Sequence, residues 1–349
     1  MDNRLVQLYT SDFTIRLSQM RLLQIVPGFG HIQNGLFDYA KVLEHELAKK
    51  KVISYYDVQE ADRADSIFLN YSGYGYQKRG LPIGLYLTLR RLVKRKRIPL
   101  FVYFHELYAG GTQLTNSSFW LYPFQKELCH LFLDLSTASF CGNEVMFELL
   151  KTGSPKAIKK IKYAGLFSNM PVLEMNQQAD QRENVAVVFG SAGRREAVYH
   201  NPSEIEKVCQ ILGITKIVDI GNGDMRQYWN FQNICVEAKG MLSSGEVAAV
   251  LQASQFGFLS YVEHLFGKSS IFAAYAGNGM SIINFSSDIQ VPRDGLINGV
   301  HYVNASDLLT KTIKVEDTDL SGNIFSWYQS RNAANHVKII YDTLTKQNV

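Results

Sequence analysis

Lys268, Ser269 and Ser270 combine a cation, two hydroxyls and a helix start, a set suited to holding an anion. They follow an apolar run, Phe256-Gly257-Phe258-Leu259, that reads as a buried strand, and a turn through Glu263-His264-Leu265-Phe266-Gly267. The helix they open carries small residues at Ala273, Ala274 and Ala276, which permits close approach. Gly277-Asn278-Gly279 ends it before another strand at Ser281-Ile282-Ile283-Asn284-Phe285. Free N–H groups at a helix start, beside a lysine, favour a phosphate. An exposed helix cap with a solvated lysine would use the same residues; the flanking glycines turn the reading towards phosphate.

Four other groups have chemistry to offer. Arg194 and Arg195 follow the turn Gly190-Ser191-Ala192-Gly193, where a guanidinium can clamp phosphate oxygens through two donors. They are equally a surface pair beside Glu196, and position favours Arg194. His105 and Glu106 end an apolar strand, Leu100 to Phe104, the place where open α/β sheets present ligands. The histidine can bond a hydroxyl or move a proton; the glutamate can bind the same partner or cap the next segment. Gly35, Phe37 and Asp38 open a helix, where Gly35 lets backbone approach a ligand and Asp38 also suits a first helical turn. Gly221, in Gly221-Asn222-Gly223, either lines a ligand or makes a tight turn.

The elements that must position these residues alternate. Strands are expected at Arg21 to Val26, Val52 to Tyr56, Ser66 to Asn70, Leu100 to Phe104, Ser136 to Cys141, Val185 to Phe189 and Ile217 to Ile220. Leu36, Tyr39, Ala40, Leu43 and Leu47 repeat at helical spacing behind Pro27-Gly28-Phe29-Gly30 and a cap at Asn34. Further helices fall at Leu85 to Val93, on either side of Ser136 within Phe119 to Lys151, and at Ile324 to Leu344. Ser154 to Lys162 reads as a basic, loose connection. Strand–helix alternation predicts mostly parallel, doubly wound sheets. At 349 residues, 46% apolar and 19% charged, the chain fits two domains with full cores. The expected division is 1–175, a linker at 176–184, 185–322, and a last helix in 323–349.

The remaining features exclude more than they assign. Cys129, Cys141, Cys209 and Cys235 have neither paired nor zinc spacing, which fits reduced thiols in a cytoplasmic protein. The start, MDNRLVQLYTSDF, lacks a signal-peptide pattern, and no apolar run approaches the ~18–20 residues of a membrane span. Net charge is +4, with the densest basic run at Arg90, Arg91, Lys94, Arg95, Lys96 and Arg97. That run suits either a solvated helix end or an anionic membrane surface. No stacking motif or known module accompanies it, so nucleic acid is not expected as a partner.

The run FGKSSIFAAYAGNGMSII resembles the donor-binding segment of GT-B fold glycosyltransferases of the broad family-four-like group. Gly279-Met280-Ser281-Ile282 sits where that family has Gly-x-Pro-Val. Asn34-Gly35-Leu36-Phe37-Asp38-Tyr39 is similar to its glycine-rich loop, with Phe37 for the second glycine. GYGYQKRGLP, FVYFHELYAGG and FSNMPV resemble a bacterial subgroup, so the likeness runs from about Leu22 to Leu344. The family's two glutamates, with seven residues between them, would fall near Phe266 and Ala274, or with Phe272 at the second in a shifted register; none of these is acidic, and Glu263 is the nearby acid.

This resemblance implies an α/β fold of two Rossmann-like doubly wound domains facing across a cleft, with the C-terminal helix crossing back to the first. It implies a transferase that moves a sugar from a nucleotide diphosphate sugar to an acceptor hydroxyl, retaining anomeric configuration. The donor would bind in the C-terminal domain through Gly190, Arg194, Arg195, Gly221, Glu263, Gly267, Lys268, Ser269 and Ser270. The acceptor would bind in the N-terminal domain, with His105 facing the sugar and Gly35, Phe37, Asp38 and Glu106 nearby. The acceptor expected by analogy is a bacterial surface glycan or a lipid-linked saccharide, with peripheral membrane contact through Arg90–Arg97. No metal or resident cofactor is expected: Asp317-Thr318-Asp319 has the Asp-x-Asp form of the other glycosyltransferase fold, but lacks a preceding buried strand. Two alternatives remain, a catalytically silent sugar-nucleotide or glycan-binding protein of this fold and, ranked last, a sugar-nucleotide epimerase.

Overall fold

A computed structural model describes residues 19–28, 35–108, 117–172, 182–313, 315 and 318–346. Phe29, Gly30, Asn34, the glycines at 110 and 111, most of the expected linker and Asp317 lie outside the described residues. The described residues of Met1–Phe140, Leu150–Lys162 and Ile340–Val349 form one compact unit. Those of Cys141–Leu149 and Tyr163–Ile339 form a second, so neither unit is one continuous segment.

In the first unit, β1 (Met20–Ile25) leads to α1 (Gly35–Ala48), β2 (Val52–Tyr55) and β3 (Ser66–Tyr71). A one-turn helix α2 (Gly73–Tyr76), α3 (Ile83–Lys96), β4 (Leu100–Phe104), α4 (Ser117–Leu135), β5 (Ala138–Cys141), α5 (Glu144–Gly153) and β6 (Ile161–Tyr163) follow in the chain, with Cys141–Leu149 and Tyr163 belonging to the second unit. The strand order is β2-β1-β3-β4-β5-β6, with β1 parallel to both β2 and β3. Every residue of β3 and β4 is buried, as a parallel sheet covered on both faces requires. The helical spacing expected for α1 is the observed one: Tyr39, Ala40, Leu43 and Leu47 are its buried face. Residues 154–162, expected as a loose connection, instead contain a short 3-10 turn and β6, whose three residues are too few for a periodicity signal.

The second unit runs β7 (Glu183–Phe189), α6 (Ala192–Tyr199), α7 (Pro202–Leu212), β8 (Lys216–Ile220), β9 (Cys235–Gly240), α8 (Ser244–Ala253) and β10 (Ser254–Leu259). It continues with α9 (Ser270–Gly277), β11 (Ser281–Asn284), β12 (Val303–Asn304), α10 (Ala305–Leu309), α11 (Leu320–Gln329) and α12 (Ala333–Lys346). The order β12-β11-β10-β7-β8-β9 is parallel throughout. The chain leaves β7 towards β8 and β9, then returns to place β10 on the other side of β7. That reversal creates a topological switch point, where a crevice opens at the strand ends. The first sheet reverses likewise between β1 and β3.

One helix expected at the C-terminus is two. Asn332 Oδ1 accepts from the Asn335 amide at 2.9 Å and caps α12, and Arg331 N bonds back to Tyr328 O, closing α11. Within the second core, α9 is buried from Phe272 to Gly277. Tyr275 of α9 is the pin of the switch point: its hydroxyl donates to Val187 O (3.0 Å) and Phe258 O (3.2 Å) and accepts from Phe189 N (3.1 Å). A Cβ on Gly257 of β10 would come within 2.6 Å of that ring, so glycine there is what lets Tyr275 lie against the sheet.

Candidate functional site

Three turns meet at the switch point of the second sheet. The turn after β7 begins at Gly190 (φ +138°), where a Cβ would stand 2.6 Å from Ile271 Cδ1 of α9. The turn after β8 holds Gly221 (φ +150°), where a Cβ would be 2.1 Å from Gly190 O, and Gly223 (φ +95°). Both φ values and both clashes exclude other residues, so backbone is packed on backbone here. The turn after β10 carries Tyr261, whose ring lies 4.5 Å beneath the guanidinium carbon of Arg194. Arg194 is exposed, while Tyr261 is half-buried and has its amide fixed by Asn284 Oδ1 at 3.0 Å. Ring and cation attract, and the stack steadies a charged group aimed into solvent.

Arg195 does something else. It is 1% exposed and its donors are all turned inward. Nε donates to Gly190 O at 3.1 Å, Nη1 pairs with Asp219, and Nη2 donates to Asn222 O and to Gly223 O. Asp219 also accepts from Tyr199 Oη at 3.1 Å. Arg195 therefore staples the two glycine turns together and is buried there rather than presented to a ligand, which corrects the pairing of the two arginines made from sequence. A buried charge must be paired and hydrogen-bonded, and these carbonyls and Asp219 satisfy that need.

The segment from Glu263 to Lys268 is a 3-10 turn, and Ser269 caps α9, its hydroxyl accepting from Phe272 N at 3.2 Å. Ser269 is thus buried and committed as a cap, while Ser270 is exposed and Lys268 half-buried. The amides of Ser270 and Ile271 bond to no described residue, as the first turn of a helix requires. Glu263 is 2% exposed: Oε1 accepts from Tyr302 Oη (2.6 Å) and Asn304 Nδ2 (2.8 Å), Oε2 from Gln290 N (2.7 Å). It anchors the turn to β12 and to the 288–290 segment rather than facing solvent, a second correction to the binding set. Gly267 is buried, and a Cβ there would stand 2.2 Å from Asp294 Oδ2, so its role is to admit that carboxylate. Asp294 in turn accepts from Tyr163 Oη (2.7 Å) and Glu144 N (2.9 Å), and burial raises its carboxyl above the ordinary range.

In the first unit the residues at the strand ends form a neutral network. His105 Nε2 lies 3.1 Å from Asn70 Oδ1, an acceptor, so this nitrogen carries a proton. Its ring meets Tyr39 edge-on at 4.6 Å and Tyr103 at 4.5 Å. Tyr76 Oη donates to Ile25 O and Asn70 O, both at 3.0 Å, so the ends of β1 and β3 are tied at their switch point. Glu106 is exposed and accepts from Ser72 Oγ at 2.6 Å. Gly35 and Asp38 are exposed on the first turn of α1, Phe37 is half-buried under Lys41, and desolvation raises the Asp38 carboxyl.

No protein-family model matches this sequence, and no curated protein matches it. Solved structures do. HepE of Anabaena, crystallised with UDP-glucose, superposes with a TM-score of 0.57 at 12% identity, over 94% of this chain and 100% of that one. A lipopolysaccharide outer core galactosyltransferase, WaaB, gives 0.55 at 12% identity over 94% and 100%. A Listeria monocytogenes protein described as a candidate UDP-N-acetylglucosamine 2-epimerase gives 0.62 at 10% identity over 95% and 97%. The chain has the GT-B fold. Its two six-stranded sheets are the two Rossmann-like domains of that fold.

Within the GT-B fold, the structure brings Gly190, Gly221 and Arg194 together, and joins Ser269 and Ser270 to them through Ile271. His105 and Glu106 belong to the first unit. Sequence reasoning passed over Asn70, Tyr76, Tyr261 and Tyr275. Each is an apolar-looking or neutral residue whose role, a ring under a cation or a hydrogen bond, appears only once the chain is folded. Tyr261 alone had a local signal, an aromatic directly after a buried strand.

Proposed function

We propose that this chain is a glycosyltransferase that binds a nucleotide diphosphate sugar at the switch point of its second unit and transfers the sugar to an acceptor hydroxyl. The observation that carries this is the meeting of two glycine-built turns under an exposed arginine stacked on Tyr261 of a third, beside the lysine and amides that open α9. Negative charge grows on the diphosphate as it leaves, and Arg194, Lys268 and the amides of Ser270 and Ile271 are preorganised to receive it. These groups take the place of a metal, and no resident cofactor is invoked. His105, with its ring fixed by Asn70, Tyr39 and Tyr103, would orient a sugar hydroxyl or shuttle a proton. Retention of configuration and an acceptor in a bacterial surface glycan or glycolipid are carried by the fold resemblance.

Among the described residues no helix is long and apolar enough to cross a membrane. The proposed location is the cytoplasm, at the inner face of the membrane when the acceptor is lipid-linked. One observation favours a second reading, a nucleotide-sugar-binding protein without transfer activity. At the position of the family's second glutamate, Ala274 is buried. In the shifted register Phe272 is buried as well and stacks on Phe266 at 4.4 Å and 11°, so no carboxylate reaches the ribose from either position.

Thermal-shift titration with UDP, GDP, ADP, CMP and dTDP tests the donor site, repeated in Lys268→Ala and Arg194→Ala. Stabilisation by one diphosphate, lost in both variants, is expected and names the base. NMR of that donor with candidate acceptors then separates transfer from binding alone and from isomerisation. Stabilisation that survives both substitutions would sink the proposed site.

A further inference from the structure

We propose that Glu263, Asn304 and Asn284 position Arg194 at the switch point of the second sheet, acting through Tyr261. The purpose rests on the reading above, in which Arg194 meets the diphosphate; the positioning itself stands on the geometry. Glu263 is 2% exposed and Asn304 and Asn284 are each 1% exposed, so all three act from beneath the site rather than on a ligand.

The three lie across neighbouring strand ends. In the parallel register Asn284, the last residue of β11, stands between Leu259 of β10 and Asn304 of β12. Asn284 Oδ1 accepts from Tyr261 N at 3.0 Å, and its Nδ2 donates to Asn304 Oδ1 at 3.0 Å. Asn304 Nδ2 then donates to Glu263 Oε1 at 2.8 Å. The relay therefore leaves the turn after β10 at Tyr261 and returns to it at Glu263, holding the turn at both ends. A second route runs through rings. Tyr302, whose hydroxyl donates to the same Glu263 oxygen at 2.6 Å, meets Phe266 edge-on at 4.8 Å, and Phe266 stacks on Tyr261 at 6.4 Å and 24°. Tyr261 is thus set in its amide and its ring by groups that converge on one carboxylate, and that ring carries Arg194.

The relay has a direction. A backbone N–H only donates, which makes Asn284 Oδ1 the acceptor and leaves its NH2 to donate onward. A carboxylate only accepts, so Asn304 must present its own NH2 to Glu263. Gln290 N fills the other carboxylate oxygen at 2.7 Å. Burying a carboxylate among neutral donors is costly, and packing alone is served as well by an apolar residue. What the charged group supplies is an acceptor at both oxygens, which a glutamine lacks.

This polarity makes the relay breakable and repairable. Glu263→Gln leaves one donor facing another however the amides turn, because Tyr261 N and Gln290 N pin the two ends. Adding Asn304→Asp moves the carboxylate one link along. It then accepts from Asn284 and from the new glutamine, whose own oxygen accepts from Gln290 N.

NMR of the ligand-free, arginine-labelled chain reads the stack directly. The Tyr261 ring should shift the Arg194 side-chain protons upfield. Glu263→Gln should move them towards their positions in Tyr261→Leu, and the double substitution should return them. Calorimetry with inorganic pyrophosphate, which carries the ligand's charge without its base, reads the consequence. Glu263→Gln should weaken binding about two- to tenfold, the double substitution should restore it, and neither should alter the residual affinity of Arg194→Ala. Where Glu263→Gln does not fold, Asn284→Ala cuts the relay without touching the carboxylate and takes its place in both measurements. An Arg194 signal unmoved by these substitutions overturns the proposal, as does an equal loss of pyrophosphate affinity in the Arg194→Ala background. Equal pyrophosphate affinity in the parent chain and Arg194→Ala counts against the donor site instead, while the ligand-free spectra still decide the positioning, so the two readings fail separately.

Discussion

The two sheets reverse direction at corresponding places, yet the residues gathered there differ in kind. At the second sheet's switch point the backbone is brought close by glycines at φ +138°, +150° and +95°, and a charged side chain stands free above it. At the first, Asn70, Tyr76, His105 and two further tyrosines form a closed neutral network. Bare backbone amides and an exposed guanidinium suit a diphosphate, whose charge must be met from several sides. A rigid imidazole held by an amide and two aromatic rings suits a neutral hydroxyl, where direction matters more than charge. The same topology has thus been given opposite electrostatics.

The largest expected effect breaks the frame of the charged side. Arg195→Ala leaves Asp219 buried without its cation and frees the carbonyls of Gly190, Asn222 and Gly223. Removing one partner of a buried pair costs about 3–5 kcal/mol, so denaturant unfolding should show a loss of that size or failure to fold. Next comes the neutral side. His105→Ala should lower turnover about 10²–10⁴-fold while leaving diphosphate affinity within about twofold, since no charge is removed near the second sheet. If nucleotide affinity falls instead, the division of labour between the two switch points is wrong.

Arg194 and Arg195 show how far the sequence could carry this. Their order, after a strand and a glycine turn, marked a candidate turn; nothing in two adjacent arginines says that a helix turns one outward and the next inward. The alternation of apolar runs and helical spacings was enough to foresee both doubly wound sheets, because each strand buries on two faces and each helix on one. The short β6 and the break between α11 and α12 escaped because three residues have no period and a single Asn332 cap is a weak mark. Glu263 looked available as the only acid near the turn. Its three donors come from Gln290, Tyr302 and Asn304, and their convergence is a property of the folded chain alone.

A smaller effect probes the packing under the donor turn. Gly267→Ala would push its methyl against Asp294 Oδ2, and overpacking of this kind costs about 1–3 kcal/mol. Asp294 has φ +62°, so Asp294→Gly removes the obstructing oxygen without straining the backbone, at the expense of the bonds to Tyr163 and Glu144. A double-mutant cycle by thermal unfolding should give the pair a favourable coupling of about 1 kcal/mol. Additive losses would mean that the clash is relieved elsewhere and that Gly267 is free to serve the ligand.

The smallest change to the fold should be the most telling for the site. Arg194→Ala removes an exposed guanidinium stacked on Tyr261, and a surface contact of this kind is worth about 0.5–1 kcal/mol. Stability should therefore barely move. Diphosphate affinity should fall about tenfold or more, since a charge-assisted contact to phosphate contributes about 1.5–3 kcal/mol. Arg194→Lys sharpens the point: it restores the charge but neither the planar stack nor the paired donors, so recovery should be partial. Tyr261→Leu keeps the charge and loses the ring beneath it. If Arg194 works only when steadied by that ring, Tyr261→Leu should weaken binding in the parent chain and do nothing further in Arg194→Ala. Equal weakening in both backgrounds would mean that the tyrosine touches the nucleotide itself, and the stack would be a consequence of the site's shape rather than its means of holding the cation.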